Sequence, residues 1–271
     1  MSGAVSQFGA DAYQSLSCEI DSHGVGWLRL RRPPANALDL ATVEELTLAV
    51  RAARFDPRVK LMVLASATPR FFSSGLDIAE LETFDANRLG LLDHLFKDLL
   101  VRSMRTARKL FVAVIEGHCL GGGLELALAA DLRLAVDGAW QLGLPELKLG
   151  GIPGGGGIQM LARLVGPSRA LKLVLSGETM SPRQALDLGL LDVLVPGDSG
   201  EQEIQAFLAR LTAGPLEAQV AAKLAVREGL ELPPDDAMLL ERELYRGLYG
   251  SADLAEGVRS FREKRPPRFS G

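Results

Sequence analysis

The stretch that most constrains this chain is Gly117-His118-Cys119-Leu120-Gly121-Gly122-Gly123-Leu124-Glu125-Leu126-Ala127. A strand-like apolar run, Leu110 to Ile115, leads into it, and a helix-like run, Leu124 to Ala130, leads out. Three consecutive glycines carry no side chains to pack, so they add little to a core. They do let another molecule lie against the backbone. The first N–H groups of the helix that follows have no partners within it, and the helix dipole makes them a seat for negative charge. Glu125 sets a carboxylate beside that seat. The plainer reading is a strand–turn–helix whose glycines only permit tight packing. For a lone triplet that reading is the stronger, and two further stretches change the odds.

The second stretch is Arg70-Phe71-Phe72-Ser73-Ser74-Gly75-Leu76-Asp77. It follows an apolar run, Lys60 to Ala65, and precedes a helix-like run. A glycine again sits where a backbone N–H can face a ligand. Two such amides from separate loops stabilise a developing oxyanion, each worth a few kcal/mol. Alone, the stretch reads as a turn with serine caps. The third stretch, Leu144-Pro145-Glu146-Leu147-Lys148-Leu149-Gly150-Gly151-Ile152-Pro153-Gly154-Gly155-Gly156-Gly157-Ile158-Gln159, brings a second carboxylate and a glycine-rich entry to a helix. Two glutamates at one substrate divide acid and base roles if their surroundings separate their pKa values. Alone, Glu146 reads as a solvated loop acid and the glycine run as a hinge. A phosphate loop needs Gly-Lys-Ser/Thr, which is missing here.

Strand and helix signals alternate along the first two thirds. Trp27 to Leu30 reads as a strand that Arg31-Arg32-Pro33-Pro34 ends. Asp39 is a candidate N-cap for a helix carrying Val43, Leu46, Val50 and Ala53. Leu92, Leu95, Phe96, Leu99 and Leu100 predict one long helix within Asp85 to Arg108. Leu110 to Ile115 and Leu132 to Val136 read as buried strands. Ser181-Pro182 fits a helix start and Gly189 its stop. From Glu201 onward only helical patterning is found: Ile204 to Leu211, Leu216 to Val226, Met238 to Leu248 and Leu254 to Phe261. The expected organisation is therefore α/β. It comprises a flexible tail over 1–14, a core with the active site over 15–198, and an all-helical region over 199–271. No repeat is visible in the sequence.

Composition excludes several classes. A net charge of −4 on 271 residues gives no reason to expect nucleic acid or an anionic membrane as partner. Cys18 and Cys119 are too isolated for a disulfide framework or a zinc site. No apolar run approaches the roughly 20 residues needed to cross a bilayer. Met1 to Tyr13 lacks the basic and apolar regions of a signal peptide. A soluble, reducing, cytoplasmic setting is the expectation. Phe71 to Gly75 lacks a Gly-x-Ser-x-Gly elbow, which argues against a serine hydrolase. His118 is expected as a packed or substrate-lining side chain, His23 and His94 as surface residues, and Cys119 as an apolar filler.

Taken together, Phe-x-x-Gly-x-Asp, Gly-Gly-Gly-x-Glu-Leu-Ala, Pro-Glu and Ile-Pro-Gly-x-Gly-Gly occur in the order found in the crotonase (enoyl-CoA hydratase/isomerase) superfamily. The chain resembles that family over roughly residues 20 to 265. The resemblance implies a spiral of ββα units with a helical C-terminal region. It implies an oxyanion hole made by the N–H groups of Leu76 and Gly122. Glu125 matches the glutamate that holds and activates water in hydratases. Glu146 matches the one that exchanges a proton with the α-carbon. Arg70, Ser74, Leu76, Asp77 and Gly121 fall at substrate- and CoA-binding positions. Phe261 and Lys264 match a C-terminal helix that often reaches a neighbouring subunit's CoA. A homotrimer or a dimer of trimers follows from the family alone. No cofactor and no metal are implied, since CoA enters as part of the thioester substrate.

The implied activity is hydration of an enoyl-CoA. Alternatives within the family are a double-bond isomerase and a cyclic dienoyl-CoA hydratase. A third is a non-catalytic acyl-CoA- or RNA-binding paralogue. Family members lacking one glutamate tend to be isomerases, decarboxylases or hydrolases, so retention of both favours hydration. Leu144 stands where many hydratases carry a polar residue, Met160 where an arginine often follows Gln159, and Glu116 in place of a common asparagine. Chemically, a thioester α-proton is only weakly acidic. Its transfer becomes feasible when enolate charge lands on fixed backbone donors in a dry site. A glutamate at its ordinary pKa of about 4.3 is too weak a base. Apolar neighbours would raise that pKa and the nearby helix start would lower it, so the sequence leaves the net sign open.

Overall fold

The computed structural model describes residues 6–9 and 13–270. An antiparallel pair, β1 (Leu16–Ile20) and β2 (Val25–Leu30), begins the fold, and a spiral follows in which strands lead and helices return. β2 runs into β3 (Ala37–Leu38) and α1 (Leu40–Phe55). β4 (Leu61–Ser66) runs into β5 (Arg70–Ser73), β6 (Gly75–Leu76), α2 (Ile78–Leu81) and α3 (Ala86–Asp93), then a π-helical segment His94–Val101 and α4 (Arg102–Thr106). β7 (Leu110–Ile115) and β8 (Gly117–Leu120) lead to α5 (Gly122–Ala129). β9 (Leu132–Val136) and β10 (Leu142–Gly143) lead to a 3₁₀ turn, Glu146–Leu149, and α6 (Gly157–Val165). Then come α7 (Pro167–Ser176), β11 (Thr179–Met180), α8 (Pro182–Asp187) and β12 (Val193–Val195). Four helices finish the chain: α9 (Gly200–Thr212), α10 (Leu216–Gly229), α11 (Pro234–Leu248) and α12 (Ala252–Glu263).

The first strand of each turn joins a six-stranded sheet, ordered β1-β2-β4-β7-β9-β12 and parallel after the first pair. Later strands form a four-stranded sheet, β11-β10-β8-β5, and a small parallel pair, β3 with β6. Burial explains why the central strands are apolar at nearly every position. Leu61, Val63 and Ala65 of β4, with Leu110, Val112 and Val114 of β7, face Ile204 and Leu208 of α9. Their neighbours Met62, Leu64, Phe111, Ala113 and Ile115 face the main core between the sheets and the other helices. Both faces of a parallel sheet are covered, so alternation of apolar and polar residues gives way to continuous runs.

Several local expectations meet their physical cause here. Asp39 caps α1 by accepting from Thr42 N–H at 2.7 Å. Ser181 and Gln184 form a reciprocal capping box at α8. The stretch expected as one helix over Asp85 to Arg108 is continuous but not uniform, for its middle widens into a π-helix. Leu92, Phe96, Leu100 and Met104 are all buried and recur every fourth residue. In an α-helix each four-residue step overshoots a turn by about 40°, so the wider turn keeps this stripe on one side.

Two expectations need correction or refinement. The tail foreseen over 1–14 is anchored where it is described. Ser6 exchanges backbone bonds with Ile20, and Phe8 is 2% exposed within the main core. Residues 1–5 and 10–12 of that tail lie outside the described residues. From Gly200 onward every described element is a helix, but the region divides. α9 seals the outer face of the large sheet, and Lys223 of α10 donates to Met104 O and Lys109 O, both at 2.8 Å. α11, by contrast, has no fully buried residue.

Candidate active site

β8 delivers the glycine loop to the start of α5. Gly121 adopts φ 52° and ψ −128°, a conformation that only glycine enters without strain. Its N–H donates to Gly143 O at 2.9 Å, and its carbonyl accepts from Glu125 N–H at 3.0 Å to start the helix. Gly122 is the first helical residue, so its N–H has no partner within the helix. The second loop lies directly against this one. Gly75 has φ 94°, and a Cβ added there would stand 2.9 Å from Leu120 O and 3.2 Å from Gly122 N. Asp77 N–H is taken by Leu38 O at 3.0 Å across the small sheet. Successive amides of a strand point to opposite sides, so Leu76 N–H faces away from β3. Leu76 N lies 3.7 Å from where a Cβ on Gly122 would be, which sets the two donor segments side by side.

Glu146 reaches this junction, and Glu125 lies close enough to Glu146 for their charges to interact. β10 pairs parallel with β8, Leu142 opposite Cys119 and Gly143 opposite Leu120, and so carries Pro145-Glu146 to the glycine loop. A Cβ on Gly121 would stand 3.0 Å from Glu146 Oε1. Glu146 Oε2 is buried with no hydrogen-bond partner among the described residues, and burial raises the pKa of this carboxyl. Glu125 is 4% exposed, one turn into α5. Gly157 N–H at the start of α6 donates to its Oε1 at 2.8 Å, and Gly155 N–H also bonds the carboxylate. Burial pushes the Glu125 carboxyl up to about 7, and the nearby Glu146 charge adds to the rise. The Gly157 and Gly155 donors and Lys97 pull the other way and lose. That settles the sign that helix start and apolar neighbours left open. The Phe96 ring of the π-helix lies on Gly155 and closes this side of the site.

The other expected residues divide. Arg70 is exposed with φ 66°, its backbone pressed on Gly117, and no ion pair engages it among the described residues. Ser74 is half-buried, and its N–H donates to Ala35 O at 2.9 Å. The Asp77 carboxylate is engaged within the chain. It caps α2 through Ala79 N–H at 3.1 Å and pairs with Arg32 at 2.7 Å, which holds its pKa low. Phe261 and Lys264 are not brought to the glutamates within one chain. Phe261 lines a cleft of about 460 Å³ with Pro215, Leu254, Val258 and Phe269, while Lys264 ends α12 at φ 52°. The basic stretch Arg262 to Arg268 folds back past the end of α12, with Arg265 bonded to Glu256 at 2.6 and 3.0 Å. His118 is a packed residue whose Nδ1 accepts from Gln141 N–H at 3.1 Å, and Cys119 is fully buried.

Sequence reasoning missed the residues that hold the glutamates and the loops. Gly155 and Gly157 are read from sequence as a hinge, yet both donate to Glu125. Their signal was present, since a glycine run entering a helix is a seat for a carboxylate as well as for a phosphate. Asn36, buried in the loop before β3, gave no signal beyond the prolines ahead of it.

The ββα spiral with its helical extension is the crotonase fold. A structure of enoyl-CoA hydratase from Geobacillus kaustophilus HTA426 superposes with a TM-score of 0.93 at 34% identity, covering 99% of this chain and 100% of that one. A probable enoyl-CoA hydratase from Bacillus subtilis is 36% identical over 268 residues, 95% of this chain and 99% of the relative. The 2,3-dehydroadipyl-CoA hydratase of Escherichia coli is 37% identical over 246 residues, 90% of this chain and 94% of the relative. A family model described as enoyl-CoA hydratase/isomerase matches residues 21–271, and the chain belongs to that family.

Proposed function

We propose that this chain adds water across the C2=C3 double bond of a 2-enoyl-CoA thioester, reversibly. The observation that carries the reading is the junction of Gly75-Leu76 with Gly121-Gly122, flanked by the carboxylates of Glu125 and Glu146. In this reading the Leu76 and Gly122 N–H groups hold the thioester oxygen as it gains enolate charge. Glu125 positions water and takes its proton as the oxygen attacks C3. Glu146 delivers a proton to C2. A Glu125 carboxyl near pH 7 suits a group that must exchange protons with water. Its burial supplies the dry surroundings in which backbone donors act strongly. CoA enters as part of the substrate, and the chemistry assigns no role to a metal or a separate cofactor.

Phe261 is 86% exposed and no residue of α11 is fully buried, which supports assembly into a trimer or dimer of trimers through these helices. Phe261 and Lys264 would then serve a neighbour's CoA. No helix among the described residues is long and apolar enough to cross a membrane, which accords with a cytoplasmic enzyme. The test is hydration of a short 2-enoyl-CoA by the wild type, Glu125→Gln and Glu146→Gln. The expected result is turnover by the wild type and loss on the order of 100-fold or more in each variant. Wild-type rates in both variants would end the proposal. Product mass separates hydration, which adds water, from isomerisation, which adds nothing.

A further inference from the structure

Asn36 is fully buried, sits at φ 50°, and uses every polar atom it has. Its amide nitrogen donates to Ser66 Oγ at 2.8 Å, Phe72 O at 3.0 Å and Phe71 O at 3.3 Å. Its amide oxygen accepts from Arg32 N–H at 2.8 Å and Thr68 Oγ1 at 2.7 Å. Its backbone carbonyl accepts from Ser73 Oγ at 2.7 Å, and that same hydroxyl accepts from Gly75 N–H at 3.1 Å. Gly75 is the residue whose carbonyl carbon is bonded to Leu76 N. A continuous relay therefore runs from Asn36 through the Ser73 hydroxyl to the peptide that bears the Leu76 donor. Each of its members is buried.

The cost of this arrangement argues that it does more than fill space. Asparagine tolerates the left-handed region better than most residues, but a fully engaged buried amide there still demands that every partner stay in place. What the amide ties down is the loop before β3 and both carbonyls of Phe71 and Phe72, the segment that ends at the glycine turn. On the other side a Cβ on Gly123 would stand 2.6 Å from Ser73 Cβ, so α5 presses on the same serine. Ser73 thus touches both donor-bearing segments at once. We infer that Asn36 and Ser73 are positioning residues which, through Gly75 N–H, fix the direction of the Leu76 N–H used to hold a thioester oxygen. This rests on the oxyanion-hole reading of the junction, and it adds residues that contact neither substrate nor glutamate.

The experiment uses the full chain and butyryl-CoA labelled with ¹³C at the thioester carbonyl. That ligand is saturated, so it binds without being hydrated. Isotope-edited infrared spectroscopy reads the carbonyl stretch of the bound ligand, and hydration kinetics on an enoyl-CoA read kcat and KM separately. Wild type is expected to shift the stretch to lower frequency. Ser73→Ala, which removes one hydroxyl and leaves a small buried side chain, is expected to lose most of that shift. Its kcat should fall on the order of 10-fold to 100-fold with KM little changed. Thr68→Val removes a bond at the far end of the amide and should give the same pattern in smaller measure. A Ser73→Ala protein that melts earlier but keeps both the full shift and its kcat would overturn the inference, leaving the serine a purely structural residue. A wild type that binds the thioester without any shift would instead overturn the oxyanion-hole reading beneath it.

Discussion

Glu125 and Gly157 lie 32 residues apart, and the Gly157 N–H donates to Glu125 Oε1 at 2.8 Å. One helix start thereby anchors a carboxylate projecting from another. A Cβ at Gly157 would meet Glu125 Cγ at 2.7 Å, closer than such atoms ever come. Gly157→Ala favours the helix by roughly 1 kcal/mol in isolation. Here it must push the glutamate off its donor. The variant is expected to keep its fold while kcat for enoyl-CoA hydration drops on the order of 100-fold. Steady-state kinetics with a thermal melt separates the two effects, and an unchanged kcat would show that the bond does not hold the working carboxylate.

The sign of the pH dependence follows from the same residue. The folded protein holds the Glu125 carboxyl near pH 7, above its ordinary value of 4.5, so the native state keeps a proton that the unfolded chain has released. Stability from this group is therefore lost as pH rises from about 4.5 to about 7 and stays lost above. The raised Glu146 carboxyl acts in the same direction. Glu125→Gln keeps an oxygen to accept from Gly157 but cannot ionise. Relative to wild type it should gain roughly 3 kcal/mol between pH 4 and pH 8.5, as an order of magnitude. Urea unfolding at the two pH values measures the difference. Activity of the wild type should run opposite to stability, with the rising limb of kcat/KM near pH 7.

The parts of this fold that declared themselves in the sequence are those whose burial is uniform or whose signal is local. β7 and β9 are legible because both faces of the sheet are covered, so β7 runs apolar without interruption and β9 is broken only by Arg133. The caps at Asp39 and Ser181 are legible because a cap acts within three residues of itself. β10 and β6 are two residues long and exist through their neighbours, so no run announces them. The π-helix hides because four-residue spacing also fits an α-helix. Both glutamates and both donor loops could be picked out as motifs. Their meeting could not, because β8 with β10, and α5 with α6, bring together residues about 20 to 40 apart in sequence. Phe8 failed for the opposite reason, being a single apolar residue in a polar tail that carries no period at all.

Lys223 is a deeply buried charge outside the site. Its side chain is 3% exposed and its ammonium meets Asp131 at 2.9 Å as well as the Met104 and Lys109 carbonyls. Burial lowers its pKa, and Asp131 opposes that. Lys223→Met leaves the buried Asp131 carboxylate with the Phe111 N–H at 2.8 Å and a distant Arg227 at 3.6 Å, but no ammonium. The expected loss is about 3–5 kcal/mol in urea unfolding, with kcat of the folded fraction unchanged. Adding Asp131→Leu should restore part of the loss, since no buried carboxylate is then left without its ammonium, and the partly exposed Arg227 keeps its bond to Ala130 O. A double variant as unstable as the sum of the singles would mean that the pair is not coupled.

Phe261 tests the assembly and the substrate site together. An aromatic ring 86% exposed, beside Val258 and Leu254 in an apolar cleft, is poorly explained by a lone chain. If α12 packs on another copy, Phe261→Asp places a charge where apolar surface would be buried. Light scattering after gel filtration should then show a mass near 29.0 kDa in place of a multiple of it. If the ring also serves a neighbour's CoA, the milder Phe261→Ala should raise KM for the thioester several-fold at unchanged kcat. A contact to the part of the substrate that does not react contributes equally to ground and transition states. A wild type already monomeric at micromolar concentration would refute the assembly. A trimeric Phe261→Ala with unaltered KM would refute the contact alone.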